Sequence, residues 1–243
     1  MIRFYAPDIT DSKTLPETES AHCCRVLRMK DGDIIYAVDG KGGAYKCMIL
    51  EAHPKHTVVE ILEKTEESLH WQPRITLAVA PTKNIDRMEW LLEKATEIGV
   101  NEIFFLKCEH SERKEVKDDR LMKILVSAMK QSMKAFMPEF HGMISYKEFI
   151  SRIKADYSDS SLIMGYCSPE YPKMELTKVY RPGENVVILI GPEGDFSPEE
   201  VSMAVDAGFI PSTFGNTRLR TETAALYALT AIHVINDLGA SDK

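Results

Sequence analysis

Two short stretches of this 243-residue chain gather side chains that could bind and activate a ligand. Residues 189–200 read LIGPEGDFSPEE and residues 214–225 read FGNTRLRTETAA. In the first, Gly191-Pro192-Glu193-Gly194 directly follows the apolar run 186–190. Glycine lets a backbone come close to a ligand, and proline fixes the turn. In the second, Arg218, Arg220 and Glu222 stand where a strand pattern passes into a helix pattern. A guanidinium there could steady developing negative charge, and a carboxylate could orient it or accept a proton. The structural alternative is a helix start capped by Thr221, with Glu222 complementing the helix dipole. Neither a lysine-terminated phosphate loop nor a strand-following GxGxxG occurs in the sequence. That argues against an ATPase or a nicotinamide enzyme.

Charge and cysteine usage narrow the class further. The formal net charge is −7, which opposes bulk attraction to nucleic acid but leaves local patches open. One patch lies in residues 107–134, where eight basic side chains stand against five acidic ones. It reads either as a solvated helix face with ion pairs or as an RNA contact. The five cysteines are an odd number without metal-ligand spacing. Neither a disulfide framework nor a metal site is expected, and a reducing cytoplasm fits. The adjacent Cys23 and Cys24 lack a paired ligand motif. No apolar run reaches the roughly 18 residues of a membrane span. The opening MIRFYAPDIT has no basic-then-apolar secretion signal.

These motifs need a scaffold, and the hydrophobic pattern predicts two kinds. Over residues 1–70, apolar runs at 34–38, 45–50 and 57–62 are separated by glycine- and proline-containing turns. That spacing predicts a small antiparallel barrel. The polar stretch 63–73 marks a boundary, and a second domain is expected over 73–243. There, strand patterns at 75–80, 103–106, 162–165, 186–190 and 209–214 alternate with helix patterns. One helix ends at Gly99, one closes near Pro138, and one opens with a Ser197/Glu200 capping box. Alternation predicts a parallel sheet with helices on both faces and ligands at the carboxyl ends of its strands. Both chemically rich stretches occupy that position. The closing helix over 223–235 is apolar around much of its circumference, which suits a buried helix or a dimer face.

The GPEG turn with Phe196, Ser197, Glu199 and Glu200, the later Gly215 and RLRTETAA, and the upstream Lys83 and RMEWLLEKATEIGV together resemble the RsmE family. Further matches are His22-Cys23-Cys24-Arg25-Val26-Leu27-Arg28, Glu112-Arg113, and the set Ala128, Gln131, Ser132 and Pro138. The resemblance spans essentially the whole chain. It implies an α/β fold, with a trefoil-knotted parallel-sheet methyltransferase domain of the SPOUT superfamily preceded by a small PUA-like β-barrel. It also implies a homodimer that methylates N3 of a uridine, position 1498 in the family's usual numbering. The substrate would be 16S rRNA of the small ribosomal subunit.

The resemblance implies S-adenosyl-L-methionine as cofactor, surrounded by Ile190, Gly191, Gly194, Phe214, Gly215 and Leu219. Arg220 and Glu222 become the expected catalytic pair, and Arg25, Arg28, Arg113, Lys130 and Lys134 the expected RNA grip. Three features depart from the family pattern. Asp195 stands at the place of a second glycine, Thr217-Arg218 at the place of arginine-isoleucine, and Lys134 at the place of arginine. Lysine does not reproduce the planar fork of arginine. Two other readings share these residues: a knotted methyltransferase for another RNA position, and a non-catalytic RNA-binding ribosome-assembly protein.

Overall fold

The computed structural model of the chain describes residues 2–240; residue 1 and residues 241–243, the outer ends of the two expected domains, lie outside the described residues. Two compact units form. One comprises the stretch up to His70 with Leu125–Met137, the other Trp71–Ile124 with the stretch from Pro138 onward.

The first unit contains β1 (Arg3–Tyr5), α1 (Ile9–Ser12), α2 (Glu17–Ala21), a π-helical turn at His22–Val26, β2 (Ile34–Val38), β3 (Gly43–Glu51) and β4 (Val58–Glu66). The strands form one sheet in the order β1-β2-β3-β4. Pairs β2–β3 and β3–β4 are antiparallel, but β1 joins β2 in parallel, which corrects the all-antiparallel expectation. Tyr45, Cys47 and Ile49 of β3 are buried while their neighbours are partly exposed, the period of two that one covered face imposes. They pack with Phe4, Ile9, Leu15, Ile35 and Val59. Segment Leu125–Met137 completes this unit, with Met129 and Ala135 buried against Val38. The Gly42 amide donates to the Ala135 carbonyl at 3.0 Å. A Cβ on Gly42 would lie 2.5 Å from the Phe136 ring, and φ there is +109°, so only glycine permits this approach.

The second unit contains β5 (Ile75–Val79), α3 (Ile85–Ile98), β6 (Glu102–Lys107), α4 (Asp118–Gln131, whose last residues belong to the first unit), β7 (Glu139–Ser145), α5 (Tyr146–Asp156), β8 (Ser160–Gly165), β9 (Met174–Glu175), α6 (Leu176–Val179), β10 (Asn185–Ile190), α7 (Pro198–Ala207), β11 (Ile210–Thr213) and α8 (Thr221–Ala240). Seven strands form one sheet in the order β7-β6-β5-β10-β8-β11-β9, and every neighbouring pair is parallel. The pattern reading did not extend to β7, α5, β9 and α6. β7 is a half-exposed edge strand, and β9 and α6 are very short, so none leaves a long apolar run.

β10 lies at the centre of the sheet. It follows β8 and β9 in the chain yet sits between β5 and β8. Val186, Val187, Ile188, Leu189 and Ile190 are all buried, which is why they form an unbroken apolar run. Beyond it, the Ser197 side chain accepts from the Glu200 amide and Glu200 reaches back to the Ser197 amide, with Pro198 opening α7. α3 starts at Asn84, whose side chain accepts from the Asp86 amide, and stops at Gly99. Both ends follow from local capping chemistry.

Candidate ligand pocket at the ends of three parallel strands

A cavity of about 750 Å³ opens at the carboxyl ends of β8, β10 and β11. In register, Gly165 of β8 stands beside Ile190 of β10 on one side and Ser212 of β11 on the other. A Cβ on Gly165 would lie 2.8 Å from the Phe214 ring and 2.9 Å from Ile190 Cδ1. The missing side chain therefore lets Phe214 and Ile190 pack against the strand, and with Leu219 they give the cavity an apolar wall.

Three loops form the walls. After β10, the Asp195 amide donates to the Pro192 carbonyl at 3.0 Å, closing a tight turn over Pro192-Glu193-Gly194. After β11, residues 214–220 lead into α8, and the Thr221 hydroxyl donates to the Gly191 carbonyl at 3.1 Å. That bond ties the two chemically rich stretches together. The third loop follows β8 and contributes Tyr166, Cys167, Ser168 and Lys173. The sequence reading missed it, although Gly165 ends an apolar strand just as Gly191 follows one. Lys173 Nζ donates to the Cys167 carbonyl at 2.9 Å, and the Tyr166 amide to the Ser212 carbonyl at 3.1 Å.

Of the six expected cofactor residues, Ile190, Gly191, Phe214, Gly215 and Leu219 line the cavity. Gly194 does not. The family resemblance implied closeness to the ligand, whereas a Cβ there would meet His110 at 3.1 Å. Gly194 admits the loop after β6, whose His110 Nδ1 lies 3.0 Å from the Asp195 carbonyl oxygen. The same loop is held by the capping glutamate, since Glu200 Oε1 accepts from the Glu109 amide at 2.8 Å.

Arg220 lines the cavity, is exposed, and its guanidinium has no hydrogen-bond or ion-pair partner among the described residues. Glu222 lies elsewhere. It is buried, with Oε1 3.8 Å from Arg87 Nε on α3 and Oε2 without a hydrogen-bond partner among the described residues. Of the two expected roles of Glu222, orienting Arg220 or accepting the proton, neither is seen here: the carboxylate faces Arg87 and does not line the cavity. The cavity also carries Lys173, Arg218, Glu193 and Asp195. Burial first, and then the Asp195 carboxylate, push the Cys167 thiol above its ordinary pKa, while Arg218 and Lys173 pull it down.

The expected RNA grip divides. Arg113 Nε donates to the Thr82 carbonyl at 3.2 Å and Nη2 to the Lys83 carbonyl, joining two loops of the second unit. Lys130 Nζ donates to both oxygens of Glu19 at 2.6 and 2.8 Å within the first unit. Both side chains thus have internal partners, but neither contact is the intrahelical ion pair of a solvated helix face: Arg113 binds carbonyls from a loop, and Lys130 reaches Glu19 of α2. Arg25 and Arg28 are exposed at the π-helical turn, Arg28 with φ of +57°. Lys134 lies just past α4 and is partly exposed. Among the described residues no group of His, Cys, Asp and Glu side chains could hold a metal ion, and no helix is long and apolar enough to cross a membrane.

Residues 70–233 match the family model described as an RNA methyltransferase domain, and residues 15–62 match an RNA methyltransferase PUA domain. The ribosomal RNA small subunit methyltransferase E of Mesomycoplasma hyopneumoniae is 31% identical over 235 residues, covering 95% of this chain and 98% of the relative. A crystal structure of a probable rRNA-methyltransferase from Porphyromonas gingivalis is 43% identical with a TM-score of 0.91, covering 98% of this chain and 100% of that one. The ribosomal RNA small subunit methyltransferase E of Neisseria gonorrhoeae, solved bound to S-adenosyl methionine, is 29% identical with a TM-score of 0.81. It covers 97% of this chain and 98% of its own. With its parallel-sheet unit and its smaller N-terminal unit both matched, the chain belongs to the RNA methyltransferases of the ribosomal RNA small subunit methyltransferase E (RsmE) family.

Proposed function

We infer that this chain methylates N3 of uridine 1498 in the 16S rRNA of the small ribosomal subunit, with S-adenosyl-L-methionine as methyl donor. The coarser statement, an S-adenosylmethionine-dependent rRNA methyltransferase, follows from the family and from the cofactor-bound Neisseria relative. The finer one, the N3 atom and position 1498, is what membership of the RsmE family implies, and an unpaired Arg220 at a pocket that five of the six expected cofactor residues line supplies the charge such a reaction needs.

The pocket fits the cofactor. An apolar wall of Ile190, Phe214 and Leu219 suits a flat adenine, and strand-end backbone groups at Ile190, Gly191, Phe214 and Gly215 can read its edge. Side chains of both signs at the mouth suit an amino-acid tail. When bound, the cofactor supplies an electrophilic methyl group on a sulfonium. The chain's own residues must prepare the base. Uridine N3 is paired in a helix and carries a proton, so the base has to be exposed and the proton removed. Arg220 stabilises the negative charge that spreads onto the uracil carbonyl oxygens as N3 loses that proton. Glu222 does not line the cavity; buried in the first turn of α8 with Oε1 3.8 Å from Arg87, it contributes by positioning the start of that helix, next to Arg220 in the chain.

Arg25 and Arg28, exposed on the turn, serve as phosphate contacts on the first unit, together with Lys134; Arg113 and Lys130 act by bracing their own units. A knotted path of the second unit is part of the same reading, in keeping with β10 entering between strands laid down earlier in the chain. So is a homodimer. α8 exposes Tyr227, Val234 and Leu238 at 48%, 49% and 65%, an apolar face at helical spacing.

Nucleoside mapping of 16S rRNA is the direct test of the function. RNA from cells lacking this protein should lose N3-methyluridine at 1498 and regain it on incubation with enzyme and cofactor; methylation at any other position would replace the assignment. In single-turnover assays at saturating cofactor, Arg220→Ala should lose about 10²–10³-fold in rate, and Glu222→Gln, which removes the charge facing Arg87, a smaller but measurable amount. A near-normal rate would remove either role. Arg25→Ala and Arg28→Ala should each lower the salt slope of rRNA binding by roughly one phosphate contact; equal slopes would leave a merely solvated surface. Sedimentation should give a two-chain mass that Val234→Asp with Leu238→Asp reduces to one, and a one-chain mass for the parent protein would exclude the dimer.

A further inference from the structure

Asp195 is the pocket residue that the chemistry so far leaves unused. Its backbone holds a left-handed φ of +62°, a conformation that glycine adopts freely and aspartate more readily than most side chains. Three contacts fix it there. Its amide donates to the Pro192 carbonyl at 3.0 Å, its own carbonyl oxygen lies 3.0 Å from His110 Nδ1, and its Oδ1 accepts from the Phe196 amide at 2.9 Å. Oδ2 is left without a hydrogen-bond partner among the described residues, on a side chain that lines the cavity. The carboxylate is near enough to Cys167, on the loop after β8, to help burial raise that thiol's pKa.

The surrounding charges give this oxygen its significance. Lys173, Arg218 and Arg220 line the cavity, and apart from Asp195 only Glu193 opposes them. Glu193 is partly engaged, accepting at 3.3 Å from the Lys83 amide. Without Asp195 the mouth would be decidedly cationic. S-adenosylmethionine and its product S-adenosylhomocysteine share the same adenosyl group, ammonium and carboxylate. They differ by one methyl group and the positive charge of the sulfonium. A cationic mouth therefore penalises the substrate form relative to the product, and a carboxylate there offsets part of the penalty.

We propose that Asp195 is a specificity-determining residue, whose preoriented carboxylate shifts this pocket's preference toward the sulfonium cofactor and away from the neutral thioether product. The proposal rests on the cofactor assignment and is independent of which nucleotide receives the methyl group. It assigns the side chain a part in turnover, because product held less tightly than cofactor is displaced by it after each transfer.

Calorimetric titration of the full chain with S-adenosylmethionine, S-adenosylhomocysteine and 5′-methylthioadenosine tests this in the parent protein, Asp195→Asn and Asp195→Gly. Asparagine keeps the Oδ1 acceptor for the Phe196 amide, and glycine suits the left-handed backbone, so both variants retain the turn. The preference for cofactor over product should fall about threefold in each variant, the scale of a partly solvated charge pair. Affinity for uncharged methylthioadenosine should hold, and the difference should shrink as salt is raised. Equal weakening of cofactor and product would assign Asp195 to the shared ammonium and overturn the proposal, as would an unchanged preference. Failure of the parent protein to bind S-adenosylmethionine at all would instead overturn the cofactor assignment, and the proposal with it.

Discussion

The position of β10 is the constraint on which the second unit depends. Its five apolar residues, 186–190, are buried by strands on both edges and by helices on both faces. Such a strand has no solvent-facing side, so its register is set strongly by burial and by both neighbours. Pairing with β5 runs from Val186 to Ile190, and the Ile190 carbonyl still accepts from the Ala80 amide at 2.9 Å. The chain thus leaves the sheet at a fixed point, with Gly191 at its centre. The central wall of the pocket, Gly191, Pro192, Glu193 and Asp195, follows from that exit.

Around the exit, charged and polar side chains serve two different ends. Those that hold the frame are paired. Glu200 caps its own helix, accepts from the Glu109 amide, and offers its carbonyl to the Tyr146 hydroxyl at 2.6 Å. Arg113 binds two carbonyls, and Thr221 clasps Gly191. Those that face the cavity are left largely open, as with Arg220 and one oxygen of Asp195. Buried polar groups normally find partners. A rigid, satisfied frame carrying a few unsatisfied groups is what preorganised recognition of a charged ligand requires.

Glu222 is the exception that joins the two classes. It is buried like a framework residue, yet one of its oxygens makes no hydrogen bond among the described residues. It stands in the first turn of α8, with Arg87 Nε 3.8 Å from its Oε1. A buried acceptor kept open beside a cation carries a desolvation cost that packing alone does not explain.

Much of this was legible in the order of residues. Runs such as 186–190 and 75–79 announced buried parallel strands, and Ser197, Pro198 and Glu200 announced the start of α7, because both signals depend on neighbours in the chain. The two glycine- and arginine-bearing stretches announced a ligand site for the same reason: each follows a strand and opens a helix. What the tertiary structure alone decided were the partners. β1 turned out parallel because its neighbour is β2, thirty residues onward. Gly194 met His110 instead of the cavity, Gly165 entered the pocket through its register with Ile190, and Glu222 faced Arg87 instead of Arg220. Lys130 and Arg113 found a carboxylate and two carbonyls that no local pattern links to them. Periodicity and capping act over a few residues, whereas charge pairing and close approach depend on which distant segments the sheet order brings together.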